Sequence, residues 1–153
     1  VYDPMRQELF TASRGGGAQV DGRRIRVSKQ TTLEGALVAT GFPQRDNSRW
    51  LDDYMAMLKA MMLTTAGVRR PGAASLDLAY VAAGRVDGFW EIGLSAWDTA
   101  AGTLLITEAG GRIGTLTGQP YVQGGHVVAG TPKVFDELVA CIGPYVPANL
   151  RDV

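Results

Sequence analysis

Between residues 50 and 66 apolar side chains recur every three or four positions, at Leu51, Tyr54, Met55, Leu58, Met61, Met62 and Thr65, while Asp52, Asp53 and Lys59 fall off that stripe. This spacing predicts an amphipathic helix whose methionine-rich face fills a core, because methionines suit irregular gaps. Residues 1–30 follow a different period. Short β-like pieces are separated there by Asp3-Pro4, by Gly15-Gly16-Gly17, and by Asp21-Gly22 between Ala18-Gln19-Val20 and Ile25-Arg26-Val27. An Asp-Gly pair between such runs marks a tight hairpin turn, which predicts antiparallel β structure. A strand-like stretch over residues 35–40 ends at Gly41-Phe42-Pro43. After Val68-Arg69-Arg70 and Pro71-Gly72, residues 74–83 have helical spacing through Leu76, Ala79, Tyr80 and Ala83, with Gly84 placed to stop the helix.

Asp87-Gly88 is a turn signal, and Phe89-Trp90-Glu91-Ile92 reads as a strand. Residues 98–108 have helical spacing through Ala101, Leu104, Leu105 and Ala109, closed by Gly110-Gly111. Arg112-Ile113-Gly114 and His126-Val127-Val128-Ala129 are short strand candidates, and residues 132–142 form a closing helix with Pro132 in its first turn. Helix and strand alternate over residues 31–153, which predicts an α/β layer, whereas residues 1–30 read as the antiparallel tail of another domain. Val1-Tyr2, with no initiator Met, reads as the end of a strand already under way, so an upstream half is expected.

Composition narrows the partners. Fifteen basic residues balance fifteen acidic ones, so no net field favours nucleic acid or an anionic membrane. No apolar run approaches the roughly 18 residues of a membrane span. Cys141 is the only cysteine, which excludes an intrachain disulfide and a cysteine-rich zinc site; it is read as a small buried thiol in a cytoplasmic protein.

The chemistry is concentrated between Glu91 and Gly111. Asp98 stands where a helix begins, so one carboxylate oxygen can accept from first-turn amides while the other meets a cation or a hydroxyl; a plain helix cap is the alternative. Glu91, seven residues upstream at a strand end, can face the same crevice, the usual ligand position in open α/β sheets. Other candidates point to structure. His126, the only histidine, follows Gly124-Gly125 into a strand and reads as a hydrogen-bonded structural residue. Gly15-Gly16-Gly17 lacks the Gly-Lys-Ser/Thr of a phosphate loop and reads as a flexible turn. Asp77 and Asp87 fit helix-surface and turn positions.

Trp97-Asp98-Thr99-Ala100-Ala101-Gly102, followed by Leu104-Leu105 and Glu108-Ala109-Gly110-Gly111, resembles the second signature of the inositol monophosphatase family. The likeness extends through Tyr2-Asp3-Pro4 with Arg6, Glu8-Leu9-Phe10, Gly22-Arg23, Gly41-Phe42-Pro43, Leu76-Asp77-Leu78-Ala79-Tyr80-Val81-Ala82 and Asp87-Gly88-Phe89-Trp90-Glu91, and is nearest to bacterial members. It implies an α/β layered sandwich of the sugar-phosphatase type. Residues 31–153 would be its C-terminal α/β/α substrate-recognition domain, and residues 1–30 a hairpin tail of an N-terminal metal-binding domain.

The resemblance also implies a function: magnesium-dependent hydrolysis of myo-inositol monophosphate by a metal-activated water. In that reading Asp98 is the catalytic residue, a Mg2+ ligand that also meets a substrate hydroxyl; Glu91 binds the inositol ring; and Gly72, Ala73 and Ala74 line the substrate pocket at a helix start. Arg69 is either a further substrate contact or a solvated surface residue. Ala73 replaces the hydroxyl residue common there, and the family's Gly-Glu-Glu element and Asp-Pro-Ile-Asp-Gly-Thr motif, with most of the metal ligands, are not in this sequence. The fragment alone is therefore expected to be inactive. Implied partners are a sugar or inositol phosphate, a second copy in a homodimer, and transcription-factor contacts, with no membrane and no direct nucleic acid. The alternatives are a bisphosphate nucleotidase or fructose bisphosphatase of the same superfamily, or a protein-binding regulator of transcription or ribosome assembly.

Overall fold

The computed structural model describes residues 1–122 and 124–151. Strands β1 (Tyr2–Asp3), β2 (Glu8–Ser13), β3 (Gly17–Val20) and β4 (Arg23–Arg24) form an antiparallel sheet in sequential order. Val20 pairs with Arg23 across Asp21-Gly22, so the two-residue turn lies where the pattern predicts it. The last strand is shorter than expected. Ile25 still donates to Ala18 O, but Val27 has left the sheet and donates to Ala109 O at 3.1 Å.

Strands β5 (Leu37–Thr40), β6 (Gly67–Arg69), β7 (Gly88–Leu94), β8 (Arg112–Gly114) and β9 (Gly125–Gly130) form a second sheet in the order β6-β5-β7-β9-β8. β5 runs parallel to β6 and β7, whereas β9 is antiparallel to β7 and β8. Helices α1 (Leu51–Thr64) and α4 (Pro132–Ile142) place Tyr54, Met57, Met61, Val134, Phe135 and Leu138 against Val38, Trp90 and Val128 on one face of this sheet. Helices α2 (Ala74–Ala82) and α3 (Ala96–Glu108) share a core with Ala39, Phe89 and Val127 of the second sheet and Phe10 and Ala18 of the first. The result is the expected mixed α/β fold, in layers of sheet, helix pair, sheet and helix pair. No described helix is long and apolar enough to cross a membrane.

Three helix expectations need correction. A 3-10 turn, Arg45–Trp50, precedes α1, and the face it buries is Tyr54, Met57 and Met61; Met55 and Met62, assigned to the core from spacing, are 50% and 65% exposed. Leu51 and Leu63 are exposed as well, so α1 is apolar nearly all round and its periodicity does not choose a face. Helix α2 lies between two sheets and buries Asp77, Leu78, Ala79, Val81 and Ala82, which removes Asp77 from the helix surface. Cys141 is half-buried beside α1 and not a sealed core thiol. Asp87 keeps its turn role: its carboxylate accepts from Ser28 Oγ and Leu37 N–H, tying the first connection to β5.

Candidate functional site

The parallel strands β5, β6 and β7 end at one edge of the sheet, with α1 and α2 leaving on opposite faces, and a crevice opens where such connections diverge. The cleft there has a volume of about 670 Å³ and is lined by Gly41, Phe42, Arg70, Gly72, Ala73, Ala74, Glu91, Gly93, Trp97 and Asp98 among others. All five residues singled out from the sequence, Gly72, Ala73, Ala74, Glu91 and Asp98, meet in it. Arg69 does not line the cleft; the neighbouring Arg70 does, with its guanidinium 4.7 Å over the Phe42 ring.

Each wall has a local cause. Ala73 is the N-cap of α2, with extended backbone and no side-chain cap bond, so the missing hydroxyl leaves the helix end to its backbone amides. First-turn amides have no acceptor within a helix and, with the helix dipole, favour an anion. Asp98 is not the cap of α3, as its position suggested. Ser95 is the N-cap, and Asp98, in the first turn, returns Oδ2 to Ser95 N–H at 2.9 Å. This is the acidic half of a capping box, and it leaves Oδ1 for another partner. Gly102, one turn further along α3, sits where a Cβ would lie 2.6 Å from Leu78, which explains why the motif places glycine at the α2–α3 contact.

Glu91 lies within β7 rather than at its end, and the register of β7 against β9 shifts between Glu91 and Leu94. Gly93 in this bulge has φ +81°, and its N–H donates to His126 Nδ1 at 2.9 Å. His126 is buried, with its ring edge-on to Trp50, and burial holds it below the usual imidazole range, assisted by the positive charge of Arg49. That confirms a structural histidine: the neutral ring offers the lone pair that Gly93 needs.

Burial pushes Glu91 up to about 7, with the negative charges of Asp77 and Asp98 adding to the effect and Arg70 opposing it. Asp77 lies behind this wall, also raised to about 7 by burial against the pull of Arg70, and its Oδ2 has no hydrogen-bond partner. Both carboxyls therefore bind protons more tightly when folded than when unfolded. From about pH 4 to 7 the folded state holds the extra protons on these two groups, so the stability they contribute falls as pH rises through this window. Asp77→Asn in the intact protein is expected to flatten that fall. Urea unfolding at pH 4.5, 6 and 7.5 checks it; a slope equal to wild type would contradict the assignment.

Among the described residues no group of three or more His, Cys, Asp or Glu side chains could hold a metal ion. Asp98 fits as one hard oxygen ligand, since Oδ2 is fixed by Ser95 and Oδ1 remains available.

Comparison with known proteins then decides the family. The model of the inositol monophosphatase family matches residues 1–144. The chain belongs to this family. It is 57% identical to the Nus factor SuhB of Pseudomonas aeruginosa over 99% of the chain, which is 56% of that protein. Among solved structures it is similar to the inositol monophosphatase of Anabaena (Nostoc), with TM-score 0.89 and 39% identity over 97% of this chain and 59% of that one. The extragenic suppressor protein suhB of Bartonella henselae gives TM-score 0.87 and 42% identity over 92% of this chain and 54% of that one. The chain thus spans about half the length of the curated relatives it matches. Members of this family are in general metal-dependent phosphatases.

The sequence pointed to Arg69 rather than Arg70, and to a helix-surface place for Asp77. The strand β6 was not read, so the choice between Arg69 and Arg70 had no geometry behind it. Asp77 stood in a helix whose burial on both sides erases the polar face that would have flagged a carboxylate there as unusual.

Proposed function

We propose that this chain is the substrate-recognition part of a magnesium-dependent phosphomonoester hydrolase that releases phosphate from myo-inositol monophosphate or a closely similar polyol phosphate. The observation that supports it is the meeting of Glu91, Asp98 and the N-terminal end of α2 in one cleft. The free amides of the α2 end and Arg70 attract the anionic group of a substrate. Glu91, near neutral affinity for its proton, both donates and accepts hydrogen bonds toward ring hydroxyls. Asp98 would hold Mg2+ together with carboxylates from outside this chain, and the bound metal would supply Lewis-acid stabilisation of the phosphoryl oxygens. In this reading the first sheet, residues 1–30, belongs to the metal-binding domain that completes the site, and the intact protein is a cytoplasmic homodimer.

Glu91→Gln in the intact protein is expected to reduce kcat/KM for myo-inositol monophosphate about tenfold or more while leaving an aryl phosphate nearly unchanged, because it touches the ring and not the phosphate. Equal losses on both substrates would remove the recognition role.

A second reading is favoured by the relatives that bear the name Nus factor SuhB. In this reading the same fold serves this protein as a protein-binding regulator of transcription, with or without hydrolysis. Pull-down of transcription factors by the intact protein and by its Asp98→Asn variant separates the two: retention by both forms supports a binding role independent of the metal site, and loss of capture by both argues against it.

A further inference from the structure

Thr40 and Trp90 are partners on the adjacent parallel strands β5 and β7, so the residues that follow, Gly41 and Glu91, arrive side by side at the cleft. A Cβ built on Gly41 would fall on the Glu91 carboxyl, meeting Cδ, Oε1 and Oε2. The carboxyl therefore lies flat on the bare Cα of residue 41. Gly41 is buried, and its backbone is outside the left-handed region, so conformational freedom does not explain the glycine. Its three nearest contacts all belong to the end of one flexible side chain, and none is backbone. A methyl group here would be accommodated by turning Glu91 aside rather than by moving a strand. Asp77 and Asp98 repel the Glu91 carboxylate and Arg70 attracts it.

We infer that Gly41 is a positioning residue for Glu91: the missing side chain at residue 41 is the seat that holds the carboxyl in the orientation from which it recognises a polyol ring. The inference rests on the reading of Glu91 as a ring-binding group. Gly41→Ala in the intact protein tests it through three readouts: thermal midpoint, kcat and KM on myo-inositol monophosphate and on an aryl phosphate, and a crystal structure of the variant. The expected result is a near-wild-type midpoint, a KM for the inositol phosphate raised about tenfold, and an unchanged aryl phosphate reaction. Combined with Glu91→Gln, it should add no further loss, because both changes remove the same contact. Additive losses, equal losses on the two substrates, or failure to fold would overturn the inference. If Glu91→Gln alone leaves selectivity intact, the recognition reading fails, and the crystal structure then judges the seat separately. A displaced Glu91 carboxyl beside Ala in that structure supports it; a carboxyl in its original place overturns it.

Discussion

Asp98→Asn in the intact protein is expected to lower kcat on inositol monophosphate by several orders of magnitude while costing under about 1 kcal/mol of stability. The two effects separate because the side chain has two oxygens with different tasks. Oδ2 accepts from Ser95 N–H, a bond that an asparagine carbonyl oxygen can keep. Oδ1 is the oxygen available to a divalent ion, and a neutral amide is a poor replacement for a carboxylate beside magnesium, which prefers hard anionic oxygens. Each factor of ten in rate corresponds to about 1.4 kcal/mol of lost transition-state stabilisation, so loss of one metal-ligating charge suffices for a large effect. Steady-state kinetics at saturating magnesium, with urea unfolding alongside, checks both halves. Near-wild-type turnover would remove Asp98 from the metal site.

The layers of the fold were legible because their periods differ. The Asp21-Gly22 turn, the glycine stops after α2 and α3 and the proline at the start of α4 each impose a local geometry that needs no tertiary context, and the structure has them in place. The buried face of α1 was not legible. With Leu51, Met55, Met62 and Leu63 exposed beside buried Tyr54, Met57 and Met61, hydrophobicity alone does not say which side meets the sheet. β6 was missed for a related reason: three residues, Gly67–Arg69, carry too little alternation to stand out between two helices.

Of the candidate site, the carboxylates Glu91 and Asp98 stood out by their places at a strand end and a helix start, a resemblance gave them roles, and the structure brings both to one cleft. Their settings were not legible. Asp98 was expected to cap its helix and instead occupies the first turn behind Ser95, a difference of three residues that only the backbone of α3 reveals. Gly41, Arg70 and Asp77 come near Glu91 from the end of β5, the end of β6 and α2, and proximity between distant segments has no signature in a single sequence. His126 is the exception. Its place after two glycines at a strand start suggested a hydrogen-bonded structural residue, and its bond from Gly93 N–H bears that out.

Whether the active site is divided between this chain and the rest of the intact protein is measured as magnesium-dependent phosphate release from inositol monophosphate by residues 1–153 alone, in a preparation shown by mass to contain nothing longer. Magnesium dehydrates reluctantly and needs one or two carboxylates plus substrate oxygens even in a complete site. The described residues present no cluster of three or more ligand side chains, and Asp98 alone would not hold the ion against its hydration shell. The expected result is no release above the rate without enzyme, and turnover restored when a polypeptide carrying the rest of the intact protein is refolded together with this one. Robust hydrolysis by residues 1–153 alone would contradict it, because the metal site would then lie wholly within this chain.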